Sequence, residues 1–211
     1  MAVHKKAVET TEIKITPPNF KVFECTVSGE VFVSNKFSQE SQGQMERDME
    51  SGEKAKNTRG KRPPKDFNKE YLGSLHSTED GKYGIPSMAF KAALVRACST
   101  CGVEMVKAKM CFFVLPDAFG TEGEPLCLFT KGTPKEFRAH VRNSNGSTDI
   151  RARGRFEPWE CKVRVRYDAD LFSAETVANL LSRAGISVGV GAGRPFSTMS
   201  CGQGWGTFEI K

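Results

Sequence analysis

Trp159-Glu-Cys-Lys-Val-Arg-Val-Arg-Tyr167 alternates without a slip between an apolar row, Trp159, Cys161, Val163, Val165 and Tyr167, and a polar row carrying Lys162, Arg164 and Arg166. Period two over this length predicts a strand with one face in a core and the other toward solvent. After Ser173, a suitable N-cap, residues Val177, Leu180, Leu181 and Ala184 recur at helical spacing. Gly185 is the expected stop, with a short strand over Ile186-Ser-Val-Gly189 behind it. The chain then enters the run from Gly189 to Gly206, where Gly189, Gly191 and Gly193 precede Arg194 and where Trp205 stands between Gly204 and Gly206. Glycine at this density permits close backbone approach and dihedrals closed to other residues, so a bulky ligand is expected against the loop. A last strand is predicted over residues 206–210.

Working toward the N-terminus, a second alternation places Phe23, Cys25, Val27, Val31 and Val33 opposite Glu24, Thr26, Ser28 and Glu30, again a half-buried strand. Residues 1–19 form a polar lead, and residues 20–211 are expected to form a single domain. Ser87 can cap a helix whose apolar stripe is Phe90, Leu94, Val95 and Cys98. Strands are predicted at Cys111-Phe-Phe-Val-Leu115, at Leu126-Cys-Leu-Phe129 and through Phe137 to Arg142. Strand, helix, strands, strand, helix, strand is the order of a ferredoxin-like (RRM-like) α+β fold, an antiparallel sheet with helices on one face. Between residues 36 and 83 the apolar period disappears, and Lys54, Lys56, Arg59, Lys61 and Arg62 follow one another without an acid. Such a stretch builds no core; it reads as a flexible basic insertion, either a solvated loop or an arm that folds over phosphates.

A net charge of +6 over 211 residues favours a polyanionic partner. No apolar run approaches a membrane span and the first residues lack the apolar core of a signal peptide, so a cytoplasmic protein without a membrane partner is expected. Seven cysteines at scattered positions argue for free thiols in a reducing compartment. Cys98-Ser-Thr-Cys101 has zinc-site spacing, but no second such pair exists and His4, His76 and His140 stand apart. No metal and no cofactor are therefore expected, and the glycine run lacks the Gly-Lys-Ser or Gly-Lys-Thr of a nucleotide-binding loop.

Ile85-Pro-Ser-Met-Ala-Phe-Lys-Ala-Ala-Leu-Val-Arg96 and the pair Gly189-Val-Gly-Ala-Gly-Arg194 and Gly204-Trp-Gly-Thr-Phe-Glu-Ile210 resemble two hallmarks of the RAMP superfamily of RNA-binding proteins. Its members include the repeating backbone subunits of CRISPR effector complexes. The first hallmark opens the first helix of that fold; the second is a glycine-rich loop entering its last strand. Ile85, Pro86, Lys91, Ala93, Leu94 and Arg96 agree in kind, while Met88, Ala89 and Ala92 depart from the small residues of the pattern. A resemblance to proteins of bacteriophage genomes points the same way, to a bacterial cytoplasm. What the resemblance implies is non-catalytic binding of single-stranded nucleic acid, RNA ahead of DNA, by copies that associate along the strand, with other effector-complex subunits as further partners.

The residues themselves offer matching chemistry. Lys91 near a helix start joins a cation to unpaired backbone N–H groups. Arg194 and Trp205 present planes for stacking, and Arg96, Arg151, Arg153 and Arg155 add positive charge. Each has a plainer reading too: Trp205 as a core residue, the arginine rows as a solvated sheet face. Against an RNA-processing nuclease, the acids Glu40, Glu46 and Asp48 form no motif, and His76 and His140 have no evident partner. A structural or regulatory protein that docks another protein through its basic arm is the first alternative, ahead of an RNA-processing endonuclease.

Overall fold

A computed structural model describes residues 16–36, 39–51, 64–142, 146, 148–197 and 202–211. Strand β1 (Phe20–Gly29) lies antiparallel to the whole of β9 (Trp159–Asp168), from Phe20 opposite Asp168 to Gly29 opposite Trp159. The two alternations recognised in the sequence meet each other from Phe23 to Val27, because pairing directs their apolar rows to one face; the first is broken after Gly29, so Val31 lies outside β1 and Val33 falls on a strand of another sheet. β10 (Glu209–Ile210) joins the free edge of β1. On the far side of β9, β4 (Phe112–Leu115) and β6 (Pro125–Lys131) share the edge, β4 pairing residues 164–167 and β6 pairing Glu160 and Cys161. β3 (Gly84–Pro86) and β5 (Ala118–Phe119) border β6, completing a seven-stranded sheet whose pairs are all antiparallel.

Helices α3 (Ser87–Thr100) and α5 (Ala174–Ser187) pack on each other and on this sheet. Phe90, Leu94, Ala97 and Cys98 from α3 and Val177, Leu180, Leu181 and Ala184 from α5 meet Val27, Phe112, Cys161, Val163 and Val165 in one buried cluster. Burying each large side chain here contributes about 1.5–3 kcal/mol, so this layer is the main source of stability. The molecule is therefore α+β.

A second, three-stranded sheet of order β2-β8-β7 consists of β2 (Phe32–Val33), β7 (Pro134–Arg142) and β8 (Thr148–Phe156). It is bound to the first by rings: Phe32 contacts Phe129, Phe156 and Trp159, and Phe129 stacks on Phe156 with centroids 4.4 Å apart. β8 was not foreseen as a strand. Its core row is Ala152, Gly154 and Phe156, too small at two positions to register as apolar alternation beside three arginines.

Several local expectations are corrected. Ser87 does not cap α3; the N-cap is Pro86, with no side-chain hydrogen bond, and Ser87 is buried as the first helical residue. Cys111 ends a short helix, α4 (Met105–Cys111), instead of starting β4. α5 runs through Gly185 to Ser187, so there is no strand at Ile186. A Cβ on Gly185 would stand 2.0 Å from the Phe208 carbonyl oxygen: the glycine lets the chain leading to β10 press against the helix and does not end it. The left-handed residue that follows the helix is Gly189, at φ +70°, whose N–H donates to the Ala184 carbonyl. Only Glu209 and Ile210 of the last predicted strand pair in the sheet.

Within residues 36–83, two helices stand where no period was visible, α1 (Gln39–Ser51) and α2 (Phe67–Gly73). Asp66 caps α2 by accepting from the Lys69 N–H, and the helix rests on β8. Glu70 of α2 accepts from the Ala152 N–H, and the Ser74 hydroxyl accepts from the Gly154 N–H at 2.8 Å. The basic run Lys54, Lys56, Arg59, Lys61 and Arg62 lies outside the described residues.

Candidate nucleic-acid interface

The face of the large sheet opposite α3 and α5 is open, and the register decides what stands on it. Arg166 is flanked by Val22 on β1 and Phe113 on β4. Its guanidinium lies 5.1 Å from the Phe20 ring centroid and 4.9 Å from that of Phe113, and the two rings meet edge to face at 6.0 Å. Lys91 reaches the same ring from α3, with Nζ 4.5 Å from the Phe113 centroid. Cation and aromatic faces thus interleave around the β4 edge. Phe20 is 43% exposed and Val22 54%.

Charge pairing separates these cations from the rest. Lys162 is bound to Glu24 at 2.6 Å, Arg164 to Asp117 at 3.0 Å, and Lys65 to Glu70 at 3.2 Å. Arg166, Lys91, Arg96 and Lys109 form no ion pair among the described residues. Arg96 sits across α3 from Lys91, its guanidinium 4.0 Å from the Phe196 centroid. Between them runs a groove of about 450 Å³ lined by Met88, Lys91, Ala92, Val95, Arg96, Met105 and Lys109.

The glycine loop is placed differently from its expected role. Gly191 is approached by the protein's own chain: a Cβ there would stand 2.5 Å from the Val33 carbonyl oxygen and 2.6 Å from the Phe32 ring. Ala192 N–H donates to the Val33 carbonyl and Gly206 N–H to the Val31 carbonyl, so the loop hangs on the β2 segment at both ends. Gly189 is crowded by Pro195 and the Gly206 carbonyl, and Gly193 by the Trp205 indole. Trp205, half-buried, meets Phe137 of β7 edge-on at 5.3 Å. Arg194 turns inward and donates to the Gly191 carbonyl at 3.0 Å.

The β8 arginines are likewise engaged within the molecule. Arg151 pairs with Asp149 at 3.5 Å and Arg155 with Glu157 at 2.9 Å, while Arg153 donates to the Ser34 carbonyl. Burial, reinforced by the neighbouring Arg151 charge, lowers the Arg153 pKa. The structure therefore brings Lys91 to the open sheet face and does not bring Arg151, Arg153, Arg155 or Arg194 there. Phe20, Phe113, Phe196, Arg166 and Lys109 were missed as site residues. Arg166 stood in the alternation of residues 159–167 and Phe113 in the strand predicted at Cys111–Leu115, but their register could not be read from one strand at a time.

His76 does have a partner. Its Nδ1 lies 3.0 Å from Glu124 Oε1, and Lys36 Nζ is 3.4 Å from that oxygen and 3.0 Å from Glu122. Burial lowers the His76 pKa more than the Glu124 hydrogen bond raises it. The Glu124 carboxyl, which burial alone would raise, is held below its ordinary value by the His76 hydrogen bond, backbone N–H donors and Lys36. This network fastens the chain ahead of α1 to the β5–β6 turn. His140 is exposed on β7. Burial, reinforced by Cys101, pushes the Cys98 thiol up to about 11, the behaviour of a small apolar core residue. Among the described residues no group of three His, Cys, Asp or Glu side chains could hold a metal ion, and no helix is long and apolar enough to cross a membrane.

No known family model matches the chain, and no curated protein matches its sequence.

Proposed function

We propose that this protein binds single-stranded nucleic acid without transforming it, as a repeating subunit of a nucleoprotein assembly. The observation that carries the reading is the cluster of Arg166, Phe20 and Phe113 on an open antiparallel face with Lys91 at its edge, the two cations forming no ion pair among the described residues. Rings accept any base by stacking, and unpaired cations gain more from phosphate than cations that must first leave a carboxylate. The strand order β10-β1-β9-β4, with α3 and α5 on the opposite face, supports a ferredoxin-like arrangement in which β1, β4, β9 and β10 are the four framework strands. In RRM-type folds this open face is where bases stack. The RAMP-like segment supplies Lys91 at the edge of that face, which favours RNA.

Titrating a labelled single-stranded oligonucleotide by fluorescence anisotropy at several salt concentrations tests this. Affinity should fall linearly on a log–log plot against salt, as counterion release requires. Absence of binding at low salt would overturn the reading and leave protein docking as the function.

A further inference from the structure

Helix α1 and the groove between α3 and α4 complement each other in chemistry, and among the described residues neither has an occupant of its apolar face. α1 carries four acids against a single arginine. Met45 and Met49, one helical turn apart, form its apolar stripe and are 49% and 75% exposed. Beside that stripe, also one turn apart, stand the exposed Glu46 and Glu50. Among the described residues α1 has no extensive contact with any other element. A helix this polar has little to hold it in place without a docked face. The groove has the opposite character: an apolar floor that includes Met88, Val95 and Met105, and a rim with Arg96 and Lys109. Neither rim cation forms an ion pair among the described residues.

We propose that α1 of one copy docks in the α3–α4 groove of a second copy, Met45 and Met49 against the floor and Glu46 and Glu50 against Arg96 and Lys109. This is helix-in-groove recognition by anchors at i and i+4, with methionines on both sides able to adjust to each other. The two surfaces are different patches of the same chain, so the contact is heterologous. Each copy offers a free helix at one end and a free groove at the other, and the contact extends into an open row instead of closing as a dimer. The inference rests on the reading of the protein as a repeating subunit and names how the repeats join. Of the strand-binding cluster, Lys91 borders the groove, while Phe20, Phe113 and Arg166 lie on the sheet face and are left uncovered.

Sedimentation of the full chain over a wide concentration range, without nucleic acid, tests the contact. The wild-type protein should grow beyond a monomer as concentration rises. Met45→Gln/Met49→Gln should weaken association about tenfold or more. Glu46→Lys/Glu50→Lys and Lys109→Glu should each abolish it, because like charges then face each other, and mixing the two variants should restore it. Circular dichroism and melting should be unchanged, since every substituted side chain is exposed. A wild type that stays monomeric, variants that associate like wild type, or a mixture that fails to recover would each overturn the proposal. Oligonucleotide binding measured at protein concentrations too dilute for association reads the strand-binding function separately, so the two failures are distinguishable.

Discussion

Lys91 Nζ stands 4.5 Å from the centroid of the Phe113 ring, which fixes a helix-borne ammonium at the border of the open sheet face. Lys91→Ala should weaken oligonucleotide binding by a similar factor for every sequence, because a phosphate contact positions without specifying. The log–log salt slope should lose about one unit. Anisotropy titrations on several oligonucleotides check both, and an unchanged slope in a folded variant removes Lys91 from the interface.

Phe20→Ala removes a ring that is 43% exposed and that covers Arg166. Loss of one stacking platform costs about 1–3 kcal/mol of binding. Melting temperature should move little, since the ring is not part of the buried cluster. A large fall in melting temperature with binding intact would make Phe20 a packing residue instead.

Gly191→Val tests the glycine loop. φ is +78°, and the Val33 carbonyl and Phe32 ring already occupy the space a side chain needs. Left-handed backbone adds about 1–2 kcal/mol for a residue with a Cβ, and overpacking adds about 1–3 kcal/mol. The expected outcome is a lower melting temperature, with oligonucleotide affinity retained in whatever fraction is folded. Gly204→Ala, where φ is +75° but the space around is open, should show only the backbone cost. Equal destabilisation by both variants would contradict the packing argument.

How far the sequence foretold this molecule depends on where each signal resides. β1, β9, α3 and α5 were legible because each buries its own periodic row. α1 was not, since acids and glutamines dominate its sequence and its apolar pair, Met45 and Met49, is exposed. The stop expected at Gly185 failed for a tertiary reason: the glycine answers to Phe208, more than twenty residues ahead. The loop at Gly191 was read as a place for a ligand because glycine signals close approach without saying by what, and here it is β2. Lys91 was visible from its helix, whereas its ring partner Phe113 and the neighbouring Arg166 came together only through the β4–β9 register.

Acidification should destabilise the protein in two stages. Burial lowers the His76 pKa from its ordinary 6.5, so as pH falls below that value the unfolded chain takes up the proton first and stability declines. Glu124, held below its ordinary 4.5, repeats the pattern further down: its contribution is present above that value and is lost as pH falls through the folded pKa. Melting temperature against pH should therefore be flat above 6.5 and fall on either side of a shoulder. His76→Gln should remove the upper decline and alter the lower one, because the His76 hydrogen bond helps to hold Glu124 below its ordinary value; a wild-type profile in that variant would place the titration elsewhere.

Trp205 touches Phe137 edge-on, and Phe137 in turn carries the Arg155 guanidinium 5.1 Å from its centroid. The hairpin of β7 and β8 and the loop that leads to β10 are consequently geared to each other. A load applied at the hairpin reaches the strand that closes the sheet through that indole and through β2, which pairs β8 and holds the loop. Amide exchange in the two segments should then slow or quicken in concert whenever either is gripped.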